Sequence, residues 1–196
     1  MRRILSALLV ALVLAALAGC GAPKLNGTVL DPASPAPDFT LTDEQGQPFT
    51  LSDHRGKVVV LFFGFTSCPD ICPAELSNLA AATRQLGDAA SDVQVILVSL
   101  DPERDTSERL AQYVKAFDPS FKGLRGDTAE LEPVVKAYGV YYQRRDLPDS
   151  ALGYTIDHSG FVYMIDKAGN WREVLANGTP VADIVSDLRA LARERG

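Results

Sequence analysis

The stretch Lys57–Leu79, KVVVLFFGFTSCPDICPAELSNL, decides how the rest of this chain is read. It opens on an unbroken apolar run, Val58 to Phe63, the pattern of a strand buried on both faces. It closes on an amphipathic helix with apolar residues at Leu76, Leu79 and Ala80. Between them Cys68 and Cys72 share a C-P-D-I-C-P loop. Two thiols at the end of a central strand, where a helix begins, stand where α/β folds place their chemistry.

The prolines refine the local expectation. Pro73 suits the first helical position, where its missing N–H costs nothing. A helix beginning at Pro69 would drive the Pro73 ring into the carbonyl four residues back. The expectation is an irregular turn from Ser67 to Cys72, then regular helix. Cysteines at i and i+4 of a regular helix have Cβ atoms about 5–6 Å apart, whereas a disulfide needs about 3.5–4.5 Å. A loop can close to form the disulfide or open to grip a metal ion. The helix N-terminus also favours thiolate over thiol.

Outward from this centre, the N-terminus reads as an export segment. Arg2 and Arg3 precede an apolar run from Ile4 to Leu17, too short for a comfortable membrane span, and Leu17-Ala18-Gly19-Cys20 follows. Those last four residues resemble a bacterial lipobox. The resemblance implies a lipoprotein signal peptide over residues 1–19, cleavage before Cys20 and lipid on its thiol. It places the protein at the cell membrane, lipid-anchored on the extracytoplasmic (periplasmic) side. An ordinary signal peptide and an uncleaved anchor are the alternatives, and all three put the domain outside the cytoplasm. With Cys20 consumed by lipid, Cys68 and Cys72 remain as one pair in a compartment where disulfides persist. Loss of Arg2 and Arg3 takes the formal charge from −6 to −8. Such an acidic domain argues against nucleic acid and against electrostatic docking on anionic lipid.

Residues 20–37 carry Pro23, Pro32, Pro35 and Pro37 without an apolar period, and read as a lipid-anchored flexible tether. Residues 38–196 suffice for one domain with a real core. Phe39 to Leu51 alternates around Gly46 and predicts a β-hairpin. Val93 to Leu100 predicts a second buried strand, ending in D-P-E-R-D-T from Asp101. Asp105 with Glu108 fits a capping box, and Leu110, Tyr113, Val114 and Phe117 form a helical stripe. Phe121 to Leu124 reads as a short strand. A second capping box, Asp127 with Glu130, opens a helix with Leu131, Val134, Val135 and Tyr138 inward, and Gly139 stops it. Val140 to Thr155 reads as an insertion, a loop or short hairpin. Phe161 to Ile165 and Trp171 to Leu175 predict a hairpin, and Val181 to Leu191 a final helix.

A cysteine pair after the first central strand and a terminal β-β-α unit resemble the thioredoxin fold. The expected class is therefore α/β: a thioredoxin-like fold, its central mixed sheet flanked by helices, with an N-terminal β-hairpin and an insertion before the last β-hairpin. Within that superfamily, Cys68-Pro69-Asp70-Ile71-Cys72-Pro73, the segment from Asp101 to Thr106, and Asp157-His158-Ser159 together resemble the Sco/SenC family from about Pro37 to Leu191. The resemblance implies handling of copper(I) during assembly of the binuclear copper site of cytochrome c oxidase. It implies as partners the copper-site subunit of that oxidase, and another copper chaperone or a thiol reductant.

The residue chemistry agrees. Copper(I) is soft and favours thiolate, with imidazole acceptable as a third ligand. The chain has two histidines, His54 and His158. In a thioredoxin-like fold the loop before the Phe161 strand faces the cysteine loop, so His158 can complete a Cys2His metal site with Cys68 and Cys72. His54 precedes the central strand and lies at its opposite end. The cis-proline that thioredoxins carry before this strand is absent here, where Asp157 and His158 stand, and no T-x-x-C pattern surrounds Cys68. Asp70 is expected either to tune metal charge or to be a solvated turn residue; Asp157 either orients His158 or is a strand-start hydrogen-bonder. Tyr141, Tyr142 and Tyr154 line a docking surface or pack the core. Three functions follow: a membrane-tethered copper chaperone; a thiol–disulfide oxidoreductase in which Cys68 attacks and Cys72 resolves, keeping a partner's copper-site cysteines reduced; and a lipoprotein with one structural disulfide. The third is disfavoured, because closing so short a loop removes little chain entropy.

Overall fold

The computed structural model describes residues 24–194. In chain order the elements are β1 (Thr28–Pro35), β2 (Thr40–Asp43), β3 (Pro48–Thr50), a 3-10 turn at Leu51–His54, β4 (Val58–Gly64), α1 (Ile71–Leu86), β5 (Val93–Ser99), α2 (Ser107–Phe117), β6 (Lys122–Arg125), α3 (Thr128–Ala137), β7 (Tyr142–Leu147), β8 (Gly153–His158), β9 (Val162–Ile165), β10 (Asn170–Leu175) and α4 (Val181–Arg193).

Every residue of β4 and of β5 is buried. They pair in parallel from Val58↔Val93 to Gly64↔Ser99, as expected for apolar runs covered on both faces. β6 adds in parallel to β5, and β9 adds antiparallel to β4. The eight-stranded mixed sheet runs β1-β10-β9-β4-β5-β6-β2-β3. Helix α1 packs against α4, and α2 lies on β6 and touches α1. The capping box of Asp127 and Glu130 opens α3, and Gly139, at φ 64°, supplies the left-handed residue that ends it. Tyr138 then sets its ring against Phe39, Phe63, Tyr163 and Trp171, and its hydroxyl donates to the Pro37 carbonyl. The α/β thioredoxin-like expectation holds: β4-α1-β5 and β9-β10-α4 flank one core, with the β2–β3 hairpin at one edge.

Four local expectations change. The helix after the cysteines starts at Ile71 rather than Pro73. Pro73 is its third residue, still within the turn whose N–H groups lack intrahelical partners, and the carbonyl its ring would meet belongs to Pro69, outside the helix. Thr106, not Asp105, caps α2, its side chain accepting from the Arg109 N–H. The insertion takes the hairpin form expected for it, β7–β8, but as a separate two-stranded sheet that extends to His158. His158 therefore ends a strand, paired with Tyr142, instead of sitting in a free loop.

The fourth change is at the N-terminus. Residues 28–35, expected as tether, form the edge strand β1, antiparallel to β10. Its side chains are mostly exposed, so it carries no apolar period to read. What holds the entry segment is polar. Leu25 is buried, the Asn26 amide and side chain donate to the Asp187 carboxylate, and the Gly27 amide donates to Glu173 at 3.0 Å. Glu173 and Asp187 are both fully buried. Burial, reinforced by the Asp187 charge, pushes the Glu173 carboxyl up to about 7. The folded chain then keeps a proton that the unfolded chain has released, so this group's contribution to stability falls as pH rises between its ordinary value of 4.5 and about 7. Glu173→Gln keeps the shape without the ionisation and is expected to reduce the loss of stability across that window. Denaturant midpoints measured at several pH values check this; a slope equal to wild type would contradict it.

Candidate metal centre

The end of β4 delivers the cysteine loop. Gly64, its last residue, leaves room for the Cys72 thiol to lie on the strand end; a Cβ there would stand 2.7 Å from the Cys72 sulfur. Cys72, the second residue of α1, is buried, while Cys68 precedes the helix and is half-buried. The Cys68 sulfur accepts the Cys72 amide N–H at 3.4 Å, taking one of the unpaired donors of the helix N-terminus. His158 arrives from the opposite side on β8, its Nε2 at 3.5 Å from the Cys72 sulfur. Its Nδ1 lies 3.0 Å from the Ser159 carbonyl oxygen. A carbonyl only accepts, so Nδ1 carries the proton and the Nε2 lone pair faces the thiols. Phe65 and Phe62 set ring edges against the imidazole at centroid distances of 5.8 and 6.3 Å.

The ligand atoms of Cys68, Cys72 and His158 lie within 4.8 Å of one another. A metal with bonds of about 2.0–2.3 Å needs three trigonal ligands roughly 3.5–4 Å apart, so a small contraction closes the site. Among the described residues this is the one cluster of three or more His, Cys, Asp or Glu side chains with that spacing. Electrostatics divides the thiols. The Cys72 side chain as donor, with help from the amides of Cys72 and Asp70, holds Cys68 well below the usual thiol range against the cost of burial. Cys72 is pushed up by its hydrogen bond to Cys68, by burial and by the Cys68 charge. The two shifts run in opposite directions, so the half-buried Cys68 ionises before the buried Cys72.

The loop is braced by residues read otherwise from sequence. Asp105 is wholly buried and accepts from the Thr66 amide at 3.1 Å, the Thr66 hydroxyl and the Ser99 hydroxyl at 2.6 Å. Arg109 donates to the Thr66 hydroxyl at 2.6 Å and to the Ser67 hydroxyl at 2.9 Å. The D-P-E-R-D-T block drew attention to Asp105; only the parallel register that sets Gly64 beside Ser99 reveals what it bridges. Asp157 pairs with Arg145 across the hairpin at 2.9 Å instead of orienting His158, because successive strand residues point to opposite faces. His54 stacks on Phe49 in the 3-10 turn and takes no part in the cluster. Tyr141 is exposed, and Tyr154 lies between the hairpin and the loop after β5. Cys20 and residues 1–19 lie outside the described residues.

Comparison with known proteins agrees with this geometry. The family model described as SCO1/SenC matches residues 28–193. The "SCO2-like protein" of Rickettsia felis is 37% identical over 134 residues, covering 68% of this chain and 65% of that protein. The chain thus spans about two thirds of the length of that curated relative. Among solved structures, copper-bound ScoI of Arabidopsis thaliana superposes with a TM-score of 0.75 at 34% identity, over 82% of this chain and all of that one. Apo Sco1 of Thermus thermophilus gives 0.76 at 38% identity, over 88% of this chain and 99% of that one. With the family model matching nearly all of the described residues, and the thiol pair and histidine assembled as above, the chain belongs to the SCO1/SenC family.

Proposed function

We propose that this protein is a membrane-tethered metallochaperone that carries copper(I) on Cys68, Cys72 and His158 and hands it to the binuclear copper site of cytochrome c oxidase. The observation that carries the reading is the convergence of two sulfurs and one imidazole nitrogen within 4.8 Å. Two soft thiolates and an imidazole suit copper(I). The copper-bound ScoI of Arabidopsis thaliana, of the same fold, lends support. Cys68 offers a thiolate at once, whereas Cys72 gives up its proton as copper binds. Copper(I) is cargo: it enters and leaves without changing oxidation state. The recipient, in this reading, is the copper-site subunit of the oxidase, and either another copper chaperone or a thiol reductant acts upstream.

Loading depends on redox state. Joining Cys68 to Cys72 as a disulfide passes two electrons to an oxidant, releases the proton that Cys72 carries, and leaves neither sulfur as a thiolate ligand. Anaerobic titration with copper(I) against a competing chelator is expected to show tight binding by the reduced protein and none by the oxidised one, with a dithiol restoring it. His158→Ala is expected to keep the fold and the thiol count and to lose at least the roughly 10–100-fold in affinity that removal of an outer-shell partner costs. His54→Ala is expected to match wild type. Equal affinity before and after reduction would remove the thiols from the site.

A second activity rests on the asymmetry of the pair. A half-buried thiolate beside a buried thiol is the arrangement of an attacking and a resolving cysteine. The protein would reduce a partner's disulfide: Cys68 attacks one sulfur, the other partner sulfur leaves as thiolate, and Cys72 then displaces the partner and closes the Cys68–Cys72 disulfide. Iodoacetamide below neutral pH is expected to modify Cys68 before Cys72, read by peptide mass. Preferential labelling of Cys72 would reverse the assignment.

Residues 1–19 and Cys20 complete the reading as a lipoprotein signal and a lipid attachment site, which holds the domain on the extracytoplasmic face of the membrane. Among the described residues no helix is long and apolar enough to cross a membrane. Intact mass of the full chain made in a bacterium is expected to show lipid on Cys20 and none in Cys20→Ser. An unmodified product with another N-terminus would overturn it.

A further inference from the structure

His158 does not ride on the main sheet. It ends β8, and β7–β8 is a separate two-stranded sheet. Side chains must therefore set where its imidazole stands relative to the thiols. Tyr154 and His158 are four residues apart on one strand and share its inward face with Ile156, which is buried. The Tyr154 ring is flanked by two guanidinium groups, Arg104 at 3.6 Å and Arg144 at 3.7 Å from its centroid. Arg104, from the loop after β5, also donates from Nη1 to the backbone carbonyls of Tyr154 at 3.1 Å and Leu152 at 3.3 Å. Its Nε is tied to Asp101, whose other carboxylate oxygen accepts the Tyr154 hydroxyl at 2.7 Å. The same guanidinium lies 5.9 Å from the centroid of Phe65, and Phe65 sets its ring against His158. Nη2 is buried with no hydrogen-bond partner among the described residues, so this end of the side chain is committed to aromatic surface.

We propose that Arg104 is a positioning residue for copper: held by Asp101 and stacked between Tyr154 and Phe65, it locks the β7–β8 hairpin so that His158 meets Cys68 and Cys72. The inference rests on the copper-carrying reading above. Arg104 touches neither copper nor thiol. Its effect passes entirely through His158, and that is what distinguishes it from a residue that merely stabilises the fold. Arg144 is the outer half of the clamp, fixed by Glu103 at 3.0 Å and Asp146 at 3.1 Å, both pairs exposed and so weaker supports.

The test is a double-mutant cycle on the reduced full domain, with copper(I) affinity measured against a competing chelator. Arg104→Gln is expected to lower affinity about 10-fold, the effect of an outer-shell partner, when His158 is present. In a His158→Ala background it is expected to cost nothing further. In the metal-free protein, amide hydrogen exchange should speed up across Tyr154–His158 while β4 and β5 stay protected. Tyr154→Leu, which removes the stacked ring and leaves Arg104 in place, is expected to repeat the pattern and serves if Arg104→Gln does not fold. An equal loss in both backgrounds, or no loss in either, would overturn the positioning role. Should His158→Ala alone leave affinity unchanged, the ligand set fails and this inference with it, a result visible without any Arg104 variant.

Discussion

The buried carboxylate of Asp105 is the joint on which the cysteine loop depends. Parallel pairing of β4 with β5 brings two strand ends, Gly64 and Ser99, to the same edge of the sheet. Each strand end feeds a loop that must leave the sheet without stranding polar groups. Asp105 accepts from Thr66 on one loop and from Ser99 at the end of the other strand, while the Leu100 amide donates to the Gly64 carbonyl at 2.7 Å. An uncompensated carboxylate this deep would cost several kcal/mol; three donors offset that cost and fix Thr66 two residues ahead of Cys68. Arg109 extends the brace to Ser67. The loop that could close into a disulfide or open around an ion is thereby held at its N-terminal side by the fold and at its C-terminal side by α1.

What remains free is small, and it suits exchange of a metal ion. Of the two sulfurs Cys68 ionises the more readily, and the imidazole presents a lone pair from a hairpin that pairs with no strand of the main sheet. Thiolates alone would hold a soft ion in a two-coordinate site that a disulfide can erase. A third ligand borne on a separate element lets affinity be raised or lowered by how firmly that element is docked, without disturbing the thiols. The two loops after β4 and β5 therefore divide the work: one carries the sulfurs, the other holds the hairpin that carries the nitrogen.

Much of this was legible in the sequence because the signals were local. The apolar run Val58–Phe63 and the paired cysteines led directly to Cys68 and Cys72, the resemblance to the thioredoxin fold together with the rarity of histidine led to His158, and Asp127 with Glu130 does cap a helix. The failures share a cause in non-local geometry. The edge strand Thr28–Pro35 buries little of its own surface and so shows no period; its identity comes from hydrogen bonds to β10. Asp105 sits where a helix cap belongs, and only strand register shows that Thr66 and Ser99 claim it. Asp157 neighbours His158 in sequence, yet strand alternation turns it towards Arg145. Asp101 and Arg104 stand in the D-P-E-R-D-T block, yet their contacts with Tyr154 span some fifty positions of chain, a separation invisible to any local pattern.

The central claim is that two sulfurs and one nitrogen from this chain meet at a single copper ion. X-ray absorption at the copper edge of the reduced, copper(I)-loaded domain addresses it directly. The account predicts a first shell of two sulfur neighbours and one imidazole nitrogen, with the outer-shell scattering typical of a histidine ring. A shell of sulfur alone, or one filled by buffer ligands with the imidazole absent, would contradict it.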